Sequence, residues 1–193
     1  MAGPTMKVID SGMPEEAYWS SLFDVPGIVH WLRLERVTGP IVEIGCGYGT
    51  ITVPVAQKAT ATVYALDIEP TMIQRARENA LKANLRNVEF ILRDVVEHGT
   101  GLKRSSIGMV LLFNILHFEG RRHLLDEAAR ILKPGGVAAI IHWRKDIETP
   151  RGPQIATRPD LEMILSSLKD LDLHYHGETG ILEPYHWGIQ LEK

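Results

Sequence analysis

The sequence predicts a doubly wound α/β fold, with a mostly parallel seven-stranded sheet, an antiparallel last strand and helices on both faces. The first observation is that short apolar segments alternate five times with segments of helical periodicity. Strands joined through helices pair in parallel by right-handed crossovers. The second observation is that the last two apolar segments are separated only by a short turn. Such a turn cannot hold a crossover helix, so this pair is predicted to be antiparallel.

The first predicted strand, residues 41–44, is apolar except for Glu43 and leads directly into three glycines within five positions. A short apolar segment of this kind is typical of a buried parallel strand. The residues after the glycines can form a helix that begins near Thr50. Pro54 is compatible with this helix because an N–H has no intrahelical partner in the first turn.

The later elements repeat this alternation. Pro70 suits the first position of a helix, and Asn84 suits its exit. Further strands are predicted at 61–67, 87–94, 107–114 and 137–143, and further helices at 69–85, 121–132 and 159–168. The antiparallel pair is predicted at 171–178 and 185–192, with Gly180 in the turn between the two strands. One or two helices outside the sheet are expected between residues 14 and 37.

Composition limits the possible partners of the chain. A net charge of −3 gives no general attraction to a polyanion, and only small basic groupings occur, so nucleic acid is not an expected partner. The longest apolar stretch is about half of what a bilayer-spanning helix needs, so no membrane association is expected. The first residues do not resemble a secretory signal, and the single cysteine cannot form an internal disulfide. These features predict a cytoplasmic protein.

The glycines and the acids that follow them predict a ligand site. In a doubly wound sheet, ligands bind beyond the carboxyl ends of the strands, and glycines there allow close approach to the backbone. Asp67 ends the second strand eighteen residues after Gly49, where a carboxylate can accept hydrogen bonds from both hydroxyls of a ribose. Asp94 ends the third strand. Glu43 would repel a pyrophosphate but attract an ammonium or sulfonium group, which predicts a nucleoside with a cationic tail.

From about Val37 onward, the chain resembles the class I S-adenosylmethionine-dependent methyltransferases. The motifs that carry this resemblance are VEIGCGYG, ALD, RD, LLFNILH and RILKPGG, in this order. The resemblance implies a Rossmann-like methyltransferase fold and S-adenosylmethionine as the cofactor. A nicotinamide dinucleotide enzyme is the alternative for this pocket. The dinucleotide-binding pattern G-x-G-x-x-G requires a third glycine, and Thr50 occupies that position here.

The resemblance also implies roles for individual residues. Glu43, Gly45 and Gly47 would line the methionine and ribose part of the cofactor. Asp67 would hold the ribose hydroxyls, and Ile68 would pack against the adenine. The adenine amino group would meet Asp94, with a backbone contact from Val95, and Asn114 would lie near the methionine end. Cys46 belongs to the same loop, and we expect it to pack there as a small side chain and not to act as a nucleophile.

Methyl transfer from a sulfonium requires a general base only when the accepting atom must lose a proton. His117 and His142 are the catalytic candidates, because they follow the fourth predicted strand and end the fifth. Either ring could instead be a packed or capping histidine. His186 has a suitable side chain, but its distance from the site cannot be predicted through an antiparallel return. No pair of histidines has helical ligand spacing, so no metal is expected.

Four residues are candidates for substrate contact. Tyr18 and Trp19 could form a lid over the cofactor, or could simply anchor a helix on the sheet. Arg144 and Arg151 could form an anion site for a substrate carboxylate or phosphate, because a guanidinium group binds both well. The alternative for the arginines is pairing with acids of their own loop, such as Asp146.

We expect one domain over residues 1–193. It would comprise an N-terminal helical cap at 1–37, a cofactor-binding core at 38–144, and a substrate-side loop, helix and antiparallel strand pair at 145–193. The predicted function is methyl transfer to an N, O or S atom of a small molecule. Methylation of RNA or protein is one alternative, and a cofactor-binding regulatory protein without methyl transfer is another. The sequence does not predict an oligomeric state.

Overall fold

The computed structural model describes residues 13–193, whose strands form one seven-stranded sheet in the order β3-β2-β1-β4-β5-β7-β6. The strands are β1 (Ile41–Ile44), β2 (Val63–Asp67), β3 (Val88–Leu92), β4 (Ile107–Phe113), β5 (Leu132–Trp143), β6 (His174–Leu182) and β7 (His186–Glu192). The first five strands pair in parallel, and β7 lies antiparallel between β5 and β6. The predicted fold class is confirmed.

Seven α-helices are present between residues 13 and 193. They are α1 (Glu16–Ser20), α2 (Val25–Trp31), α3 (Thr52–Lys58), α4 (Pro70–Lys82), α5 (Val95–His98), α6 (Arg121–Ile131) and α7 (Leu161–Ser166). Pro70 begins α4, and Asn84 just beyond it has a φ of 56°, so both predicted boundary roles are confirmed. None of the helices in this part of the chain is long and apolar enough to cross a lipid bilayer.

The sheet separates two apolar clusters. On one face, Leu125 of α6 and Ile164 of α7 are fully buried against the central strands. On the other face, Ile28 of α2 and Val55 of α3 are buried in the same way. Helices on both faces leave only the ends of the strands open, so the carboxyl-end edge of the parallel strands becomes the place for a ligand.

The pairing of β5 with β7 determines which side chains meet at this edge. Trp143 at the end of β5 lies opposite His186 at the start of β7. An antiparallel strand that begins at this edge therefore adds its first residues to the carboxyl ends of the parallel strands. This register brings residues from the far end of the chain to the predicted ligand site.

The structure corrects four details of the prediction. Gly180 lies within β6, and the turn is formed by residues 183–185. The β5 strand begins at Leu132, earlier than expected, because the segment with two glycines continues in extended form. The β3 strand ends at Leu92, so Asp94 precedes α5 and does not itself end a strand. The helix predicted to begin near Thr50 begins at Thr52. Residues 1–12 of the predicted N-terminal cap lie outside the described part of the chain.

Candidate functional site

The loop after β1 is held open by two glycines in left-handed conformations. Gly45 has a φ of 78° and Gly47 a φ of 51°, a region that side-chain-bearing residues rarely occupy. A Cβ atom at Gly45 would also lie only 2.9 Å from Cγ2 of Ile115, which follows β4. The glycines therefore expose backbone at the strand ends and allow the segment after β4 to pack directly against the loop.

Asp67 is fixed by two backbone hydrogen bonds. The N–H of Gly47 donates to Oδ2 over 2.8 Å, and the N–H of Glu69 donates to Oδ1 over 2.9 Å. Each carboxylate oxygen can accept a further hydrogen bond, so both remain able to bind a pair of ribose hydroxyls. These hydrogen bonds join the glycine loop after β1 to the carboxyl end of β2. We call the glycine loop, Asp67 and Glu43 together the cradle. Burial raises the pKa of Asp67 above its usual value.

Glu43 lies below the glycine loop and is only 3% exposed. The hydroxyl of Thr52 donates a hydrogen bond to it. Burial raises the pKa of Glu43 to about 8, and the nearby Asp67 carboxylate contributes to the increase. A buried carboxyl group without a cationic partner is costly to ionise, and a bound cation would remove that cost. This environment fits a ligand that brings a positive charge to the loop.

The other predicted cofactor residues line the same edge of the sheet. Asp94 accepts hydrogen bonds from the N–H groups of Val96 and Glu97 through Oδ1 and so caps α5. The Val95 side chain is buried in the core, which leaves only its backbone for a ligand. Ile68 is partly buried beside Asp67. The structure brings these residues together, and their contacts with an adenine remain a prediction.

The Cys46 side chain points away from the edge of the sheet. It is 4% exposed and packs with Ala65, Ile73 and Ala76 under α4. Burial raises the pKa of its thiol far above the usual range, so the thiolate needed for nucleophilic chemistry is disfavoured. Cys46 therefore contributes to the loop through its backbone and its small size.

Asn114 follows β4 and joins the cofactor side of the edge to the last strand. Its φ of 58° is left-handed, and its N–H donates to the carbonyl of Ile141 over 2.8 Å. Its side-chain amide lies 3.1 Å from Nε2 of His186. Because an amide nitrogen can only donate, Nε2 is the acceptor and His186 carries its proton on Nδ1. The side-chain oxygen of Asn114 is buried without a hydrogen-bond partner.

Three histidines lie near this end of the sheet, on two different faces. The rings of His117 and His142 are 5.7 Å apart between centroids. His186 lies opposite Trp143 in the strand register, whereas His142 lies opposite Trp187, so His186 and His142 project to opposite faces. Burial lowers the pKa of all three, to about 3 for His186 and well below the usual value for His142. The rings are neutral at physiological pH. Both predicted catalytic histidines thus lie together, and His186 is a third that the sequence had left open.

Aromatic rings surround His186. Phe23 stacks on one side with centroids 4.6 Å apart, and Trp143 packs against it at 4.3 Å. Trp19 packs edge to face against both Phe23 and Trp143, with ring centroids 5.0 and 6.2 Å apart. Trp19 is thus part of this cluster, whereas Tyr18 is 42% exposed. Whether either residue touches a ligand remains a prediction.

The N-terminal helix α1 is tied to the cofactor loop as well. Glu16 accepts hydrogen bonds from Arg75 at 2.5 Å and from Asn79 at 2.6 Å, both on α4. The hydroxyl of Tyr48, in the glycine loop, donates to the carbonyl of Pro14 over 2.7 Å. The segment from residue 14 to 23 therefore spans from the glycine loop to the aromatic cluster.

The arginines of the loop after β5 have intramolecular partners. Arg144 binds Asp146 through two hydrogen bonds of 3.1 and 2.8 Å and lies 3.7 Å from Glu183. Buried Arg158 donates to the carbonyls of Pro153 and Arg144 and holds the loop in shape. An anion site at Arg144 and Arg151 therefore remains a prediction, and Arg144 would have to exchange partners to form it.

Two cavities adjoin the sheet. One, of about 250 Å³, lies behind the glycine loop beside Tyr48, Gly49 and Thr50, whose buried hydroxyl has no partner. The other, of about 290 Å³, lies at the opposite end of the sheet beside Arg36 and Lys133. The first cavity adjoins the glycine loop, whereas none of the predicted site residues lines the second. Residues 13–193 hold no group of three or more potential metal ligands placed to bind an ion.

The sequence does not identify Phe23 as part of this site, and it leaves the position of His186 open. The sequence does not mark Phe23 as a site residue, because an aromatic residue at this position looks the same as a residue of the hydrophobic core. The sequence offers His186 as a suitable side chain but does not give its distance from the site, because that distance depends on the turn of the antiparallel return. A turn at the Glu183-Pro184 pair could have been inferred from the proline, which ends strands more often than it continues them.

Comparison with known proteins agrees with this arrangement. A model of a methyltransferase domain matches residues 41–136. The chain is 32% identical over 110 residues to the aklanonic acid methyltransferase DauC of Streptomyces sp. strain C5, covering 55% of this chain and 49% of that protein. It is 27% identical over 159 residues to a 2-heptyl-1-hydroxyquinolin-4(1H)-one methyltransferase of Mycobacteroides abscessus, covering 80% of this chain and 69% of that protein.

Among solved structures, the chain is similar to a SAM-dependent methyltransferase from Aquifex aeolicus. The TM-score is 0.77 at 22% identity, with 92% of this chain and 93% of that chain covered. At this identity the likeness concerns the fold. The match to DauC spans only about half the length of that relative, so its substrate is not transferable by similarity alone.

Proposed function

Since the chain belongs to the class I S-adenosylmethionine-dependent methyltransferase superfamily, we propose that it transfers a methyl group from S-adenosylmethionine to a small-molecule acceptor. The observation that carries the proposal is the cradle formed by the glycine loop, Asp67 and buried Glu43. The two named relatives support a small acceptor, because each is named for methylating one. We also propose a cytoplasmic location, which the single cysteine supports.

The residues of the cradle fit this cofactor. Asp67 is held with both oxygens able to accept from the ribose hydroxyls, and the open backbone of Gly45 and Gly47 allows close approach. The raised pKa of Glu43 fits a ligand with a cationic centre. Bound S-adenosylmethionine would supply a methyl group on a leaving group that is already activated by positive charge. The protein's own part is then to bind, orient and exclude water.

Asn114 and the histidines occupy the side of the cradle where the acceptor would bind. Ile115 packs against Gly45, so Asn114 and His117 lie next to the loop that would hold the methionine end. His117 is the candidate base, because it is the least buried of the three histidines. His142 lies behind it and is fully buried, so we assign it to orienting His117 or the acceptor.

Titration of the purified chain with S-adenosylmethionine and S-adenosylhomocysteine tests the proposal. We expect binding of both, weakened at least tenfold by Asp67→Asn, with Asp172→Asn as the matched control at an exposed position. Incubation with a metabolite extract and a labelled methyl donor should then label small molecules. Label in RNA or protein would contradict the small acceptor, and binding without any labelled product would favour a regulatory protein.

A further inference from the structure

Residues 13 and 14 lie against the glycine loop. The hydroxyl of Tyr48, within the loop, donates a hydrogen bond to the carbonyl of Pro14 over 2.7 Å. At Gly47, the Cε atom of Met13 lies 3.4 Å from the position that a Cβ atom would take. Gly47 belongs to the cradle proposed above to bind the cofactor. The chain before α1 therefore adjoins loop backbone that a cofactor has to reach.

The same stretch of chain is attached to the loop a second time, through helix α4. The side-chain amide of Asn79 donates to Oε1 of Glu16 over 2.6 Å and to the carbonyl of Tyr48 over 2.9 Å. An amide nitrogen carries two hydrogens, so both bonds can form at once. Arg75 adds a further bond, to Oε2 of Glu16. The bonds that join Pro14, Glu16, Tyr48 and Asn79 close a ring, which we call the clasp.

Apolar packing contributes little to this attachment. Helix α1 buries none of its residues, and three members of the clasp line the cavity of about 250 Å³ behind the glycine loop. Trp19 supplies an apolar contact through Phe23 and Trp143, and Leu22, just beyond α1, is buried at 3% exposure. A segment with few buried apolar contacts opens at low cost. Residues 13–20 are therefore held largely by the hydrogen bonds of the clasp.

The clasp also acts on the residues of the cradle. The Tyr48 carbonyl that Asn79 binds lies between Gly47 and Gly49, whose φ values are 51° and 78°. Glycine backbone changes conformation readily when such a bond is lost. The N–H of Gly47 in turn donates to Asp67. Release of the clasp would therefore free the loop next to the carboxylate proposed to hold the ribose.

We propose that the clasp gates the cofactor site, so that S-adenosylmethionine enters and S-adenosylhomocysteine leaves only after residues 13–20 detach from Tyr48 and Asn79. This inference rests on the proposed methyl transfer. The closed segment covers the loop in the free and in the cofactor-bound protein, so opening precedes both association and dissociation. Asn79 is then a positioning residue, because it acts through Glu16 and Tyr48 and touches no reacting atom.

Rate constants of cofactor binding test the gate. Asn79→Ala removes both bonds of the amide, and alanine favours the helix, so α4 is retained. We expect this variant to raise the association and the dissociation rate constants of S-adenosylhomocysteine at least fivefold each, with Kd changed less than twofold. Tyr48→Phe, which loses only the bond to Pro14, should raise both constants in the same way. Surface plasmon resonance on the immobilised chain measures them.

The matched control is Gln74→Ala on the same helix. The Gln74 amide bonds Glu78 and is not part of the clasp, so this variant should change neither rate constant. Damage to the site would speed dissociation alone and raise Kd, and that result in Asn79→Ala would overturn the gate. Unchanged rate constants in Asn79→Ala would also overturn it and leave the methyltransferase proposal standing. Failure of the unaltered chain to bind S-adenosylhomocysteine would contradict both proposals.

Covalent closure of the clasp tests the gate from the opposite direction. In the double variant Glu16→Cys and Asn79→Cys, a short bismaleimide joins the two thiols across the clasp. Buried Cys46 does not compete, because burial raises the pKa of its thiol and leaves it unreactive. We expect linking to slow association and dissociation at least tenfold relative to the unlinked double variant. Slower release of S-adenosylhomocysteine bound before linking would support the gate, and unchanged release would contradict it.

Discussion

The buried carboxyl group of Glu43 holds its proton more tightly in the folded chain than in the unfolded chain. Its pKa is about 8 in the fold, against an ordinary value of 4.5. Between these two values the unfolded state binds fewer protons, so the free energy of unfolding falls as pH rises. The slope from this single group reaches about 1.4 kcal/mol per pH unit. The acid that suits the site to a cation therefore destabilises the protein when no cation is bound.

Replacing Glu43 by Gln should remove this dependence. We expect Glu43→Gln to be more stable than the unaltered chain at pH 8 and to lose most of that advantage at pH 5. At pH 5 the pH exceeds the unfolded-state pKa of 4.5 only slightly, so keeping the carboxyl protonated in the fold costs little there. Urea unfolding at pH 5, 6, 7 and 8 measures the difference. Glu89→Gln, at an exposed position of β3, is the matched control and should leave the slope unchanged. If the free energy of unfolding depended on pH equally in all three proteins, Glu43 would not be the source of the dependence.

The same residue predicts a proton linkage in cofactor binding. A sulfonium or ammonium near Glu43 favours its ionised form, so binding of S-adenosylmethionine near pH 7 should release a proton. The affinity should therefore rise as pH increases from 6 to 8. Calorimetric titration in buffers of different ionisation enthalpy measures the proton count. Glu43→Gln should release fewer protons than the unaltered chain, and an unchanged count would exclude Glu43 as the source.

At the scale of elements, the last two strands form a slot for the N-terminal helix α2. Gly180 of β6 and Gly188 of β7 are cross-strand partners. A Cβ atom at Gly188 would lie 2.9 Å from the Trp31 ring and 3.0 Å from the carbonyl oxygen of Ile140, and a Cβ at Gly180 would lie 2.6 Å from Trp31 Nε1. These two glycines allow α2 to pack directly on the sheet.

Adding a methyl group to this slot should be destabilising. We expect Gly188→Ala to lower the free energy of unfolding by about 1–3 kcal/mol, because neither the indole nor the strand backbone can move away freely. Urea unfolding measures the loss. In a double-mutant cycle, Trp31→Phe should recover part of it, because the smaller ring no longer reaches the new methyl. Strict additivity of the two substitutions would show that the slot is not tight.

The slot and the acceptor site also show what could be predicted from sequence. The parallel pairing of the first five strands was predictable, and so was the meeting of the glycine loop with Asp67, because motif residues at the ends of parallel strands necessarily lie at one edge. The position of His186 was not, because the register of an antiparallel return depends on the exact turn, and a shift of one residue moves every side chain to the other face. Phe23 and Trp31 were not predictable for another reason. Their contacts are tertiary and leave no periodic pattern.

At the scale of the whole molecule, the N-terminal segment joins the two halves of the site. Glu16 binds α4 beside the glycine loop, and Trp19 packs against Trp143 at the end of β5. Cofactor binding would stabilise the loop, and this segment is attached to the loop through Tyr48. The segment is thus coupled to the cofactor site without belonging to the sheet.

Hydrogen exchange should report this coupling. We expect amides of residues 14–31 to exchange more slowly when S-adenosylmethionine is added, because the segment opens less often from a stabilised loop. Mass spectrometry of peptic fragments measures the rates. Fragments from β4 serve as the control, since they are buried in both states. Unchanged exchange in 14–31 would indicate that the segment is a fixed part of the core and not a lid.

The aromatic cluster around His186 has an optical consequence. Two of the four tryptophans, Trp19 and Trp143, lie within it, and the Trp143 ring is 4.3 Å from the imidazole. Indole emission responds to the polarity and protonation of its immediate neighbours. A ligand that binds His186 would therefore alter the intrinsic fluorescence of the protein, and no attached dye would be needed. The chain carries its own probe for identifying the acceptor by titration.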